Sequence, residues 1–258
     1  LTGCQNTKTA EPTAPSPDFL SAPLVSHMHT ADPSAHVFEG KIYVYPSHDR
    51  ESGKPAGGAD QFDMKDYHVF SMDEVGGPVT DHGMALHVDD VPWATRQMWA
   101  PDAAHKDGKY YLYFPAKDKD DIFRIGVAVA ELTPKIAKMS DDMLSFAEPL
   151  RDVQILDEQG QPILAGDNDR RFFEAAWVHK YEGVYYFSYS TGDTHFIQYA
   201  TGSSPYGPFT YQGKILEPVL GWTNHHSIVQ HNDKWYLFYH DSEISEGKTY
   251  LRNMHLVK

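Results

Sequence analysis

The chain has 258 residues, enough for one all-β or α/β domain or two small ones. Its 22 Lys and Arg stand against 36 Asp and Glu, a formal charge of −14 with His neutral. That balance lacks the basic footprint of a nucleic-acid binder, so neither a nucleic-acid partner nor a peripheral helix on anionic lipid is expected. Aromatic residues make up 13 %. That excess favours β structure and suits stacking on sugar faces.

The first residues, Leu1-Thr2-Gly3-Cys4, resemble the lipobox that ends a bacterial lipoprotein signal. Cys4 is the one cysteine, so no intrachain disulfide can form. Residues 5–23 are rich in Thr, Ser, Ala and Pro with no hydrophobic period, as in a tether. The expected organisation is a signal remnant and tether over 1–23 and a β-propeller domain over 24–258. The membrane would be reached only through a lipid anchor at Cys4. The expected location is the bacterial cell envelope, either periplasm or outer-membrane surface.

From residue 39 onward one phrase recurs four times, a polar turn followed by alternating aromatic and aliphatic residues. It begins at Glu39-Gly40, Asp107-Gly108, Glu182-Gly183 and Asn232-Asp233. Each reads as a two-residue hairpin turn, because acidic-Gly and Asn-Asp pairs tolerate the positive φ such turns require. Shorter strands precede the turns at Ala35–Phe38, Ala103–Lys106, Ala176–Tyr181 and Ser227–His231. Further strands follow at Asp66–Met72, Arg124–Ala130, Phe196–Thr201 and Tyr250–Val257. Three or four strands per repeat, with no sustained helical period, indicate an all-β propeller; a β-sandwich is the alternative. Residues 131–165 carry no copy of the hairpin, so poor or irregular packing is expected there.

Polar residues stand just upstream of each turn, where the inner strand of a blade begins: Asp32, Asp102, Glu174 and the pair His225-His226. Inner strands converge on the propeller axis, which would gather these residues around one funnel. Glu174 lies nine residues before Gly183, against eight for Asp32 before Gly40, so its strand needs a bulge or bend. An acid set between aromatic and small apolar residues loses solvation and holds its proton to higher pH, as a general acid must. A better-solvated partner would stay ionised as the base, and two such carboxylates across a sugar are the equipment of glycoside hydrolysis. Each residue also has a plainer reading. Asp32 before Pro33 can be a turn residue, Asp102 can bind backbone amides, and the His pair can be a core pair or a metal site. The acidic runs Lys117–Asp121 and Asp167–Asp169 read as solvated loops.

Taken together, Thr30-Ala31-Asp32-Pro33-Ser34, Trp99-Ala100-Pro101-Asp102, Phe172-Phe173-Glu174-Ala175, Trp222-Thr223-Asn224-His225-His226-Ser227 and Leu251-Arg252 resemble glycoside hydrolase family 43. The resemblance implies a five-bladed β-propeller, with one blade incomplete, that hydrolyses xylosidic or arabinofuranosidic linkages of xylan-type oligosaccharides with inversion. It assigns Asp32 as general base and Glu174 as general acid. Arg252 would reach sugar hydroxyls. His225, or His226 instead, would stand beside one Ca2+ or a water on the axis, with no organic cofactor. Trp99, Phe114 and Trp177 are candidate subsite walls, and Asp102 is a further substrate-binding candidate. The family's third catalytic carboxylate, an Asp in an Asp-Pro-x-x-Phe segment, has no counterpart between Asp102 and Glu174. Val129-Ala130 runs directly into Glu131-Leu132-Thr133-Pro134 where the third-blade hairpin would lie. This departure leaves two other readings open, a catalytically impaired carbohydrate-binding surface lipoprotein and a shortened version of a longer enzyme.

Overall fold

The structure, a computed structural model, describes residues 19–20, 22–55, 57–106, 109–124, 135–136, 138–139, 141, 147–222 and 224–258. The chain folds as an all-β, five-bladed propeller whose third blade is incomplete among the described residues. The first blade is an antiparallel sheet of His29–Phe38, Lys41–Asp49, Asp66–Met72 and Thr80–His87 in that order. The second is divided between the hairpin Asp102–Lys106/Lys109–Tyr113 and a sheet of Ala94–Arg96, Ala116–Asp118 and Phe123–Arg124. The fourth runs from Phe172–Tyr181 outward through Val184–Thr191 and Ile197–Gly202 to Phe209–Leu216. The fifth joins His226–His231, Lys234–Asp241 and Asn253–Val257.

Three of the four expected hairpin turns have the backbone their residues favour, and the fourth, Asp107-Gly108, lies outside the described residues. Glu39 and Gly40 have φ of 53° and 79°, Glu182 and Gly183 of 47° and 85°, Asn232 and Asp233 of 49° and 60°. Positive φ at both central positions matches the right-handed twist of the strands. The blades stack through apolar faces. Ile42, Val44 and Phe70 of the first blade share one core with Tyr236, Phe238 and Leu256 of the fifth, and Phe187, Tyr189 and Phe209 form the core of the fourth.

Three expectations change. Phe19–Leu20, inside the presumed tether, forms an outer strand of the fifth blade by pairing with Leu256 and Val257. The N-terminal segment thus adds the outer strand there, because the free edge of Asn253–Val257 offers it a backbone ladder. Part of the segment 131–165 is packed rather than loose. Lys135–Ile136 pairs with Arg151–Asp152, and Ile155–Leu156 adds a parallel fifth strand to the fourth blade beside Phe209–Thr210. Val153 and Ile155 are buried in that blade's core because apolar residues there cover Phe209. Finally, the outer strands Thr80–His87 and Phe209–Leu216 escaped the sequence pattern, being mixed in polarity and half exposed. Cys4, most of the presumed tether and residues 125–134 lie outside the described residues.

Candidate active site

Five of the residues singled out from the sequence meet in one cavity of about 100 Å³. Asp32, Trp99, Glu174, His225 and Arg252 line it together with Phe62, Met64, Ala100 and Trp222. A larger hollow between the fourth and fifth blades, walled by His179, Tyr186 and Trp235, is lined by no carboxylate and so lacks acid–base equipment.

Asp32 sits on a break in the innermost strand of the first blade. The ladder shifts register between Ala31 and Ser34, and Asp32 adopts φ of 49°. Asp is among the few residues that accept this left-handed conformation. The break turns the carboxylate toward the axis, where the side chain is 4 % exposed. Its backbone N–H donates to His240 Nδ1 at 3.0 Å, which fixes the break in place. Ser47 Oγ donates to Oδ2, and Arg252 Nη1 donates to Oδ1 at 3.0 Å.

Arg252 is held in turn. Its Nε and Nη2 donate to the two oxygens of Asp49 at 2.7 and 2.9 Å, and its backbone N–H also donates to Asp49. Burial works against the charge of Asp32, but Arg252, His225, His240 and Ser47 outweigh it and hold the carboxyl well below the usual carboxylate range. Asp49 moves the other way: burial raises its pKa, and Arg252 offsets that only in part. Burial opposes the charge on Arg252 too, yet the two carboxylates keep it firmly protonated.

Glu174 lies on the irregular stretch expected of it. The ladder shifts register on both sides, between Phe172 and Glu174 and again before Trp177, and Ala175 has φ of 59°. The side chain is 29 % exposed, and buried Oε1 accepts no well-formed hydrogen bond from the described residues. His225 bridges the two acids, with Nδ1 3.5 Å from Asp32 Oδ1 and Nε2 3.4 Å from Glu174 Oε1. Burial disfavours the imidazolium, but Asp32 and Glu174 prevail and raise the pKa of His225. Because one rigid ring joins those contacts, the two oxygens lie within about 9 Å of each other, a spacing that admits an inverting pair at about 6.5–9.5 Å.

The other assignments need correction. His226 turns away, its Nε2 2.6 Å from Ser188 Oγ, because adjacent residues of a strand face opposite sides. Asp102 is outside the cavity; it accepts from Ser34 Oγ at 2.6 Å, meets His36 Nε2 at 2.8 Å and binds the Ala103 amide. Phe114 stacks on Trp93 and packs with Tyr67 in a core shared by the first and second blades. Trp177 lies against His36, 5.5 Å between ring centroids, and does not line the cavity. His225 turns Nδ1 toward Asp32 and Nε2 toward Glu174. Among the described residues no three ligand atoms converge there.

Phe62, Met64 and Trp222 complete the wall, and Ser47 and His240 position Asp32 while Asp49 positions Arg252, none of the three having been picked out. Trp222 stood in a quoted motif but carried no role; its ring is 6.0 Å from Phe173. Nothing in the spacing of Ser47, Asp49 or His240 marks them, because their partners lie up to 208 residues away.

No family model matches the chain. It is 49 % identical to a xylosidase/arabinosidase 43A of Humicola insolens over 90 % of this chain and 94 % of that one. It is 48 % identical to a xylosidase/arabinosidase of Bacteroides ovatus, covering 90 % and 91 %. A solved β-xylosidase/α-arabinofuranosidase of glycoside hydrolase family 43 from a compost microbial metagenome superposes with a TM-score of 0.87 at 54 % identity, covering 91 % of this chain and 92 % of that one. The Humicola alignment spans 307 positions, whereas 90 % of 258 residues is about 232, so at least about 75 positions have no counterpart here. Identity of this extent across nearly the whole length places the chain in glycoside hydrolase family 43, among the inverting glycosidases.

Proposed function

We propose that the protein removes xylosyl or arabinofuranosyl units from xylan-type oligosaccharides. Asp32 would be the base that activates water, and Glu174 the acid that protonates the leaving oxygen. The observation that carries this reading is the unequal treatment of two carboxylates sharing one cavity. Asp32 is clamped by Arg252 and held ionised at 4 % exposure, whereas Glu174 is 29 % exposed in the same cavity, with its Oε1 3.4 Å from His225 Nε2. Trp99, Trp222 and Phe62 supply apolar walls for a sugar ring. The small cavity favours a single terminal sugar, as in exo cleavage. Two kinds of observation on relatives agree: the curated ones are named xylosidases or arabinosidases, and a solved one is described in complex with xylotriose.

That solved relative is also described as a calcium-free form. We do not extend a calcium site to His225, because among the described residues no three side-chain ligand atoms converge there. The relatives carry enzyme names, and they lend no support to a binding-only protein. The lipobox-like start at Leu1–Cys4 supports a lipid-anchored envelope location.

The test is hydrolysis of aryl β-xyloside and aryl α-L-arabinofuranoside followed by proton NMR. The first-formed sugar should have inverted anomeric configuration. Retained configuration, or full activity in both Asp32→Asn and Glu174→Gln, would overturn the proposal.

A further inference from the structure

Away from the cavity, the first blade carries a second cluster of ligating side chains. Strands Lys41–Asp49 and Asp66–Met72 pair through Ile42–Met72, Tyr43–Ser71 and Val44–Phe70. Continuing that register places Pro46 opposite His68 and His48 opposite Asp66. Pro46 has no N–H to give, and the printed ladder ends at Val44. Beyond that point the strands are joined by side chains. His48 Nδ1 lies 2.5 Å from Asp66 Oδ1, and the rings of His48 and His68 meet edge to face at 5.5 Å.

One donor atom from each of His48, Asp66 and His68 lies within 4.8 Å of the others. All three side chains are mostly buried, with exposures of 25, 20 and 17 %. His68 is buttressed as metal-bound imidazoles usually are: Nδ1 lies 3.1 Å from Asp81 Oδ1, which leaves Nε2 with its lone pair. Asp81 is itself held by the Gly83 amide at 2.7 Å and by His27 at 2.9 Å. Two imidazoles and one carboxylate suit a first-row divalent cation and leave room for water.

We propose that His48, Asp66 and His68 bind one first-row divalent cation, with zinc as the natural probe, and that it pins the splayed end of the first blade. His48 lies between Ser47 and Asp49, whose side chains hold Asp32 and Arg252. Alternation sends His48 to the opposite face, so the ion would brace the active-site strand from behind without touching substrate.

The test uses the untagged full chain stripped with a chelator, then titrated with Co2+ under visible absorption and with Zn2+ under calorimetry. One equivalent should bind, Co2+ should give ligand-field bands, and Zn2+ should raise the melting temperature. His48→Gln/His68→Gln should lose that equivalent and the zinc-dependent rise in melting temperature, while circular dichroism reports the fold. Should the double variant fail to fold, Asp81→Asn decides, with affinity expected to fall about 10–100-fold. Absence of a stoichiometric site in the unaltered protein, or unchanged affinity in the variant that is read, would leave these residues as a hydrogen-bonded His–Asp cluster and overturn the proposal.

Discussion

Arg252 donates to Asp32 across 220 positions of chain, Nη1 to Oδ1 at 3.0 Å, and both side chains are 4 % exposed. A charge so far removed from water stays only because it is paired. Arg252→Met should therefore do two things. It leaves Asp32 and Asp49 as buried, uncompensated acids, at a cost of about 3–5 kcal/mol in denaturant unfolding. It also removes a main influence that keeps Asp32 ionised, so the acidic limb of the kcat/KM profile should move to higher pH. An unmoved limb would separate Arg252 from the state of the base.

Glu174→Gln should lower kcat by about 100- to 10,000-fold on substrates with poor leaving groups. The penalty should shrink with a dinitrophenyl leaving group, which departs without a proton. Comparing the two substrates in one variant checks the acid role directly. Equal losses would point to a binding role instead.

His226 gives a pH-dependent stability. Burial, with smaller contributions from His225 and His179, pushes its pKa from 6.5 down to about 3. The unfolded chain thus takes up a proton between pH 6.5 and about 3 that the folded protein refuses. Stability from this group is complete above pH 6.5 and declines as the pH falls through that window. His226→Gln can keep a polar partner for Ser188, and it should flatten the melting-temperature decline by close to one proton. An unchanged slope would contradict the assignment.

Trp222 and Phe114 should respond oppositely. Trp222 is 51 % exposed and lines the cavity, so Trp222→Ala should raise KM several-fold with little loss of stability. Phe114 packs in a core away from substrate. Phe114→Ala should cost about 2–3 kcal/mol, below the 3–5 of a fully buried ring, with KM unchanged. Steady-state kinetics beside unfolding curves distinguish the two.

Local information was readable wherever local physics decided the outcome. The turns at Glu39-Gly40, Glu182-Gly183 and Asn232-Asp233 need positive φ, and the residue types said so. The alternating strands behind them indicated a propeller over a β-sandwich, and the odd spacing before Gly183 called for the irregularity found around Glu174. Asp32, Glu174 and Arg252 were legible as a set through their motifs.

What the one-dimensional pattern did not contain was direction across the axis. Whether His225 or His226 faces the acids depends on which side of a strand each occupies. The roles of Asp49 and His240 depend on contacts with elements more than 200 positions away, and that of Ser47 and the retreat of Asp102, Phe114 and Trp177 from the cavity depend on how the side chains pack in three dimensions. The amino-acid order by itself determined the inner strands, the described turns between them and the two acids. Only the closing of the blades around a common axis decided which acid is clamped by a buried cation and which stays the more exposed to the cavity, because burial and Coulomb interaction act through space rather than along the backbone.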